Sequence, residues 1–260
     1  GRQAGAAATR EALRAAGYTP GQALLDPPTL LFLTIADAEG VAPEEDVLLG
    51  VHSVLGLEVP VFGGTSARSG DQGPMAFSRG EELSSRIVCV TLAWPSVNCS
   101  VKFRSLHQKA LREGTVTRAS ADGRALFTID GVPAFNYYLE HSGCCAGHPE
   151  HASSCDPVDL LEPSSLYPLG IRCGRGGPAY RLVHPSKGHW NGCMELYAQV
   201  RPHDRIAVLT ASEQDIIDRA GDLAKEAVAG VASSVGNGQE AQAEVKGALC
   251  VFCGGLAARL

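Results

Sequence analysis

The 260-residue sequence is poor in aromatic residues, in basic charge and in long apolar runs. Aromatic residues make up only 6%, which argues against a platform for stacking nucleic-acid bases. Lys plus Arg (22) is outnumbered by Asp plus Glu (28), and the net charge of −6 disfavours a phosphate-binding surface. The longest apolar run, residues 30–36, is far shorter than the ~20 residues of a transmembrane helix. We therefore expect neither nucleic acid nor a membrane as a partner.

Nine cysteines stand in a sequence that shows no signal peptide at its start. Disulfide frameworks are typical of short secreted chains, so we expect a cytoplasmic protein with free thiols, several of them buried. Cys250 and Cys253 have a redox-like spacing, but their apolar surroundings predict packing in the core on a last strand. Because the first residue is glycine, we expect a piece of a longer protein or a processed product.

Glycines, prolines and apolar runs divide the sequence into alternating helices and strands. A strand over 29–36, a helix from Pro43 to about Gly56 and a strand over 58–62 predict a βαβ unit with parallel strands. The same order recurs in outline over three later segments, residues 205–210, 213–232 and 247–252. This recurrence indicates either an internal duplication or ordinary βαβ architecture. We predict an α+β fold with parallel βαβ elements in two layered α/β halves.

The other predicted elements are shorter. They are a helix over residues 1–17, strands over 86–94, 100–111, 114–120 and 125–129, a helix over 133–140, and strands over 166–171, 180–183 and 194–200. The irregular stretch 141–165 is rich in Cys, His, Pro and Ser and is interpreted as an inserted loop.

Residues 114–138 (GTVTRASADGRALFTIDGVPAFNYY) resemble the entry to the second half of the FIST family, and Asp130-Gly131-x-Pro133-Ala134 matches best. Three further segments match the family in order and spacing: 58–66 (EVPVFGGTS), 167–171 (YPLGI) and 247–253 (GALCVFC). The resemblance implies a FIST N-like domain over residues 1–100 without its first strand. It also implies a FIST C-like domain over residues 101–260 that lacks its C-terminal segment and carries the inserted loop 141–165.

The same resemblance implies a function. FIST proteins look like intracellular sensory modules of signal transduction, so we expect a small ligand, such as an amino acid or a related metabolite. The partner implied is a signalling or ubiquitin-ligase protein. Two alternatives stay open: a substrate-recognition subunit of an F-box ubiquitin ligase, and a haem-based gas sensor, although no histidine matches an axial ligand. No catalytic constellation stands out, so we do not expect an enzyme.

The first candidate ligand site is the segment Gly63, Gly64, Thr65 and Ser66, directly after the second predicted strand. Open α/β sheets bind ligands beyond the carboxyl ends of their strands, and glycines let a ligand approach the backbone. No Gly-Lys-Ser/Thr follows, so this is not a phosphate loop. The structural alternative is a tight turn that needs positive φ.

Asp130 and Gly131 form the second candidate. We favour a turn in which Asp130 caps the following helix and Pro133 lies in its first turn; the alternative is a ligand pocket. Four basic residues then form a third candidate, a cluster able to pair with a carboxylate unless it is a solvated surface: Arg172, Arg175, Arg181 and Lys187.

The inserted loop packs histidines and cysteines closely between His141 and Cys155. Zinc needs four nitrogen or sulfur donors, which four residues of this loop could supply: Cys145, His148, His151 and Cys155. Since their spacing matches no standard finger, we favour a surface insertion without metal. We therefore expect no cofactor, with haem and zinc as the alternatives.

Overall fold

The computed structural model describes residues 1–19, 26–36, 44–66, 75–78, 80–83, 87–107, 109–144, 156–174, 179–233, 245–251 and 253. The chain divides into two compact units. The first comprises Gly1–Val101 with the described part of Ala227–Val251, and the second comprises Lys102–Glu226 with Cys253. Among the described residues, no helix combines the length and hydropathy needed to cross a bilayer.

A three-stranded sheet and two helices form the first unit. Its elements are α1 (Arg2–Ala15), β1 (Leu30–Ala36), α2 (Glu44–Leu55), β2 (Val61–Thr65), β3 (Ala76–Ser78), β4 (Glu81–Leu83) and β5 (Ile87–Ala93). The sheet order is β2-β1-β5; β1 pairs parallel with β2 and antiparallel with β5. The predicted parallel pairing of the two strands around α2 is thus confirmed. β3 and β4 pair as a separate antiparallel hairpin.

The alternating apolar pattern of β1 builds the core of this unit. Leu31, Leu33 and Ile35 are buried on one face of the strand and pack with Val47 and Val51 of α2. Side chains at every second position point to the same face, and the alternate residues Leu30, Phe32 and Thr34 are only partly buried, while Ala36 at the end of the strand is buried.

Two glycines let α1 and α2 pack with their backbones in contact. A Cβ on Gly5 would clash with the Val47 carbonyl oxygen, and a Cβ on Gly50 would clash with the Arg2 carbonyl oxygen. Only a residue without a side chain fits at either position, so the helix spacing depends on both glycines.

An antiparallel sheet dominates the second unit. Its elements are β6 (Lys109–Ala119), β7 (Ala125–Ile129), β8 (Val132–Pro133), α3 (Ala134–Ser142), β9 (Val158–Asp159), α4 (Leu161–Leu166), β10 (Leu169–Cys173), β11 (Ala179–Val183), β12 (Pro185–Gly188), β13 (Met194–Leu196) and β14 (Arg205–Thr210). The helix α5 (Glu213–Ser233) begins here. The strand order is β11-β10-β14-β6-β7-β13-β12-β9, and β8 pairs with β7.

The helix α3 supplies the largest side chains to the core of the second unit. Phe135 and Tyr138 are completely buried and cluster with Leu126, Ile129 and Ile206 from the sheet. Gly188 on β12 is required by this packing, because a Cβ there would clash with the ring of Phe135.

The α+β class is confirmed, but the second βαβ layout suggested by the sequence is not formed in the described part of the chain. β14 pairs antiparallel with both of its neighbours, β10 and β6, and residues 245–251 contain no strand. The expectation of a last strand over 247–252 is therefore wrong for its described residues. The layout that suggested a duplication depended on that strand.

The cysteines also differ from expectation. The seven cysteines that the structure describes are all free, as expected, but none is fully buried: Cys89, Cys144 and Cys193 are half-buried, and Cys99, Cys173, Cys250 and Cys253 are exposed. Core packing of Cys250 and Cys253 was predicted from a strand that does not form, which is why both side chains reach the surface.

Two predicted strands begin later in the structure than the sequence indicated. The strand predicted over 100–111 begins only at Lys109, where it joins the next predicted strand to form β6. The strand predicted from residue 166 begins at Leu169, because Leu166 ends α4. In that helix the hydroxyls of Ser164 and Ser165 donate to backbone carbonyls three residues earlier, a local pattern that hydrophobic periodicity does not reveal.

Gly50→Ala is expected to destabilise the protein by about 1–3 kcal/mol, because overpacking forces the two helix backbones apart. Gly221→Ala is the matched control, since a Cβ on this α5 glycine would meet nothing within 4 Å. It should be neutral or should stabilise by up to ~1 kcal/mol. Thermal and urea denaturation measure both, and equal midpoints for the two variants would contradict the proposed packing of α1 on α2.

Candidate functional site

Asp130 and Gly131 connect β7 to β8 in a two-residue hairpin turn. Their φ angles are 50° and 79°, the left-handed values that such turns require. The carboxylate Oδ1 of Asp130 accepts a hydrogen bond from Thr115 N at 2.9 Å, and Asp130 N donates to Thr115 O at 2.8 Å. The turn prediction is confirmed, and these two bonds hold the carboxylate against β6.

A capping role for Asp130 is wrong. The N-cap of α3 is Pro133, which makes no side-chain capping bond, so Pro133 precedes the first turn instead of lying in it. One oxygen of the Asp130 carboxylate instead accepts a hydrogen bond from Thr115 N on β6.

The hydroxyl of Tyr137 reaches β6 where a glycine leaves room for it. Tyr137 is 3% exposed. A Cβ on Gly114 would lie 2.9 Å from the Tyr137 hydroxyl and 2.8 Å from Asp130 Oδ2, so both polar groups approach the same point on the strand. The buried hydroxyl has no hydrogen-bond partner within the described part of the protein. Buried polar groups are nearly always paired, so this one requires an explanation.

Charged groups surround this hydroxyl. Arg112 lies two residues before Gly114 on β6 and therefore on the same face of the sheet. Burial raises the pKa of the Tyr137 hydroxyl, whereas the nearby Arg112 guanidinium opposes that rise. The ring of His141, one helical turn later on α3, meets the Tyr137 ring edge-on with 4.5 Å between centroids. We call Arg112, Asp130, Tyr137 and His141 the Asp130 site.

The Asp130 site combines three complementary groups. Asp130 and Arg112 are both exposed and of opposite charge, and the Tyr137 hydroxyl is a neutral donor and acceptor between α3 and β6. Such a set can bind a small polar molecule that carries both an ammonium and a carboxylate.

The glycine segment on β2 is arranged differently from the sequence interpretation. Gly63, Gly64 and Thr65 are the last residues of β2, not a turn that follows it. Gly63 has a φ of 133°, and a Cβ there would clash with the Leu33 carbonyl oxygen, so strand packing alone requires glycine.

The hydroxyls of this segment already hold protein groups. Thr65 Oγ1 donates to Glu44 Oε1 at 2.6 Å, and Ser66 Oγ accepts from Met75 N at 2.8 Å. Three carboxylates stand in the first turn of α2, of which Glu44 bonds Thr65. An anionic ligand would therefore be repelled here. Ligand contact by residues 63–66 stays a prediction.

The basic residues of the third candidate do not converge. Arg172 of β10 pairs in register with Tyr180 of β11, whereas Arg181 pairs with Ile171, so the two arginine side chains point to opposite faces. Arg181 donates to Gln199 O at 2.7 Å, and Lys187 is 4.0 Å from Glu195. Arg175 lies outside the described residues.

Arg172 instead belongs to a network centred on Glu113. Tyr180 donates its hydroxyl to Glu113 Oε1 at 2.6 Å, while Arg205 and Arg172 approach Oε2 at 3.3 and 3.6 Å. The Tyr180 hydrogen bond is the main reason that the pKa of Glu113 is lowered, and the two arginines add to it. The network lies on the face of β6 opposite Arg112, because Glu113 is the next residue along the strand.

The zinc alternative concerns Cys145, His148, His151 and Cys155, all of which lie outside the described residues. In the part of the chain that is described, no group of three or more His, Cys, Asp and Glu side chains is placed to hold a metal ion.

Sequence reasoning missed Arg112, Tyr137 and His141. Tyr137 and His141 stand four residues apart, which places them on one face once the helix is known to begin at Ala134. Arg112 carries no such signal, because its face is set by the strand register of β6.

Comparison with known families matches residues 1–132 to the FIST N domain, which is about half of the chain. The chain belongs to the FIST family. FIST domains are sensory domains of signal transduction. No match is found among curated proteins or among solved structures.

In this FIST chain the matched range includes two of the four residues of the Asp130 site, Arg112 and Asp130. It ends at residue 132 and so covers β6, β7 and the Asp130 turn in the second unit. Tyr137 and His141 follow it on α3. The assignment of residues 101–260 to a C-terminal FIST domain stays a prediction.

Tyr137→Phe is expected to stabilise the FIST chain by about 1 kcal/mol, because it removes a buried hydroxyl that has no partner. Tyr138→Phe is the matched control one residue away. It removes the hydroxyl that donates to Tyr167 O at 2.9 Å and should destabilise by about 1 kcal/mol. Urea denaturation compares them; destabilisation by Tyr137→Phe would show that its hydroxyl is paired.

The Glu113 network should lose its contribution in acid. The pKa of Glu113 is lowered from its ordinary value of 4.5 in the folded protein, so its stabilising effect is complete above that value. The effect is lost as pH falls below 4.5 through the lowered pKa. Wild type should therefore exceed Glu113→Gln in stability at pH 7, and the difference should shrink progressively as pH falls below 4.5. A difference that stays the same between pH 7 and this acid range would contradict this.

Glu82→Gln on the exposed strand β4 is the control and should change little at either pH. Because Glu113 lies near the surface, the difference at pH 7 should be small and should shrink with added salt.

Proposed function

We propose that this FIST chain is a sensory module that binds a small zwitterionic metabolite, such as an amino acid, at the Asp130 site. The observation that carries the proposal is the buried Tyr137 hydroxyl, which has no partner in the described residues and lies beside Asp130. A bound ligand would supply the missing partner. The approach is open, because Asp130 and Arg112 are both exposed.

Each end of a zwitterion would meet a complementary group. The Asp130 carboxylate would accept hydrogen bonds from the ligand ammonium through Oδ2, since Oδ1 is held by Thr115 N at 2.9 Å. The Arg112 guanidinium and the Tyr137 hydroxyl would donate to the ligand carboxylate. Charge-assisted bonds of this kind are roughly twice as strong as neutral ones, which favours zwitterions over uncharged molecules.

Binding would act on α3. The ligand would join β6 and the Asp130 turn to the side chain of Tyr137, and the Tyr137 ring contacts the His141 ring edge-on further along the helix. A ligand that binds one arrangement of α3 better than another shifts the population toward it. A signalling or ubiquitin-ligase partner in the cytoplasm would read that shift. The proposal requires binding without chemical turnover and needs no cofactor.

The test is a titration of the 260-residue chain with amino acids, followed by thermal shift and calorimetry. A ligand at a hundredfold excess over its Kd should stabilise the protein by about 2.7 kcal/mol. For each amino acid that binds, two analogues are compared: the amine without the carboxylate and the acid without the ammonium. Both should bind at least tenfold more weakly.

Arg112→Gln and Asp130→Asn should abolish the ligand-induced shift. Arg205→Gln is the matched control, because Arg205 is on the neighbouring strand and the opposite face, paired with Glu113. Folded wild-type protein that responds to no zwitterion would overturn the proposal. So would a response that Arg112→Gln and Asp130→Asn leave intact.

A further inference from the structure

The long helix α5 exposes four uncharged residues along one side of its surface. Ile217 and Val228 are 52% and 46% exposed, and Gly221 and Ala224 between them are exposed as well. We call these four residues the α5 stripe. Ile216 is buried, and it points roughly 110° away from the centre of the stripe around the helix axis. The stripe is therefore separate from the side on which α5 packs through Ile216.

The spacing of the α5 stripe is that of a seam between two helices. Its members follow one another at intervals of four, three and four residues, which is the spacing by which two helices interlock their side chains. A single exposed apolar residue needs no explanation, but four aligned along one helix indicate a helical partner. A Cβ on Gly221 would meet nothing within 4 Å, so the middle of the stripe is open to an approaching backbone.

The α5 stripe is complementary to itself when a second copy of the chain lies antiparallel to the first. If Ile217 lies opposite Val228 of the second copy, Gly221 lies opposite its Ala224. A two-fold axis then passes between residues 222 and 223, and every contact occurs twice. The small residues meet at the centre of the seam, where the two backbones come closest, and the large side chains cover its two ends.

The charges beside the stripe match the same arrangement. Asp218 and Lys225 each directly follow a stripe residue, so they lie on the same flank of the seam, and both are exposed. In the antiparallel pair Asp218 lies beside Lys225 of the second copy, and the two-fold axis repeats this pair of opposite charges. The other flank brings Ala220 beside Ala227 of the second copy, which leaves room for close packing.

Both charged groups can bind a second partner. Asp218 Oδ1 accepts a hydrogen bond from Gln214 Nε2 at 2.9 Å, and Lys225 Nζ donates to Asp222 Oδ1 at 3.2 Å. A carboxylate has a second oxygen and an ammonium group has three protons, so an additional contact across the seam needs neither bond to break.

A parallel pair of α5 helices lacks this match. It would bring Glu213 of one copy beside Asp218 of the other, because these residues flank the seam on opposite sides and five positions apart. Like charges at the edge of a seam destabilise it, so the charges favour the antiparallel direction.

We propose that the α5 stripe is a self-association surface through which two copies of this chain form an antiparallel, two-fold symmetric helix pair. The complementarity of Asp218 with Lys225 across the axis selects a second copy as the occupant. Three turns of helix bury a small area, so the dimer is weak and depends on protein concentration.

Sedimentation of the 260-residue chain tests this from about 1 µM to about 500 µM, the range of a weak complex. A reducing buffer prevents the exposed cysteines from linking two chains. The average mass should rise from monomer to dimer. Ile217→Ser and Val228→Ser should each weaken the dimer about tenfold, since each side chain is buried twice. Both residues are exposed, so the monomer should stay folded, which circular dichroism checks.

A charge exchange tests the direction of the pair. Asp218→Lys and Lys225→Asp should each weaken self-association about five- to tenfold at low salt, because like charges then meet on both sides of the axis. When the two variants are mixed, they should associate with each other as tightly as wild type does, because every facing pair is again opposite in charge. Glu213→Lys is the control and should associate as wild type does.

Several outcomes would overturn the proposal. A monomer at every concentration would exclude a second copy as the occupant of the stripe. A dimer that Ile217→Ser and Val228→Ser leave unchanged would lie on another surface. Tighter association of Glu213→Lys, or no association between the mixed charge variants, would exclude the antiparallel direction.

Discussion

The second unit depends on the close approach of α3 to β6 at Gly114. A side chain at this position would overlap Ile129, Asp130 and Tyr137 at once. Its absence lets Asp130 bond Thr115 and lets Tyr137 bury its ring while its hydroxyl stays beside the strand. The hairpin turn, the first turn of α3 and the central strand are thereby tied to one point. A buried hydroxyl without a partner among the described residues accompanies this packing, and the proposed ligand site rests on it.

The strand β6 carries two different electrostatic arrangements on its two faces. Glu113 faces the arginines and Tyr180 of the neighbouring strands, where its charge is balanced within the protein. Arg112, one residue earlier, faces α3 and the exposed Asp130 turn. The charges on the Glu113 face are paired within the protein, whereas Arg112 and Asp130 are exposed. This separation follows from the two-residue period of a strand.

The first unit uses glycine for close packing. Gly5 and Gly50 let two helices touch, and Gly63 lets β2 lie against β1. The edge beyond β2, the first place to look for a ligand in an open α/β sheet, carries Glu44 bonded to Thr65. Carboxylates at the start of α2 stabilise that helix end, and they make the edge unsuitable for an anion.

Local pattern was enough to predict much of the fold. The apolar run of β1, the acidic start of α2 and the Asp-Gly turn at Gly131 specify their conformations through short-range sterics and burial, and the predicted strand, helix and turn are confirmed. The resemblance of residues 114–138 led to the family and to Asp130. The sequence by itself therefore determined the α+β class, the βαβ unit and the turn that positions one site residue.

Only the tertiary structure decided the strand register. Register places Arg172 and Arg181 apart and Arg112 beside Tyr137, because a shift of one residue moves every side chain to the opposite face of the sheet. The absence of a strand at 245–251 was likewise decided by tertiary pairing, since an apolar run forms a strand only where a neighbouring strand accepts its hydrogen bonds.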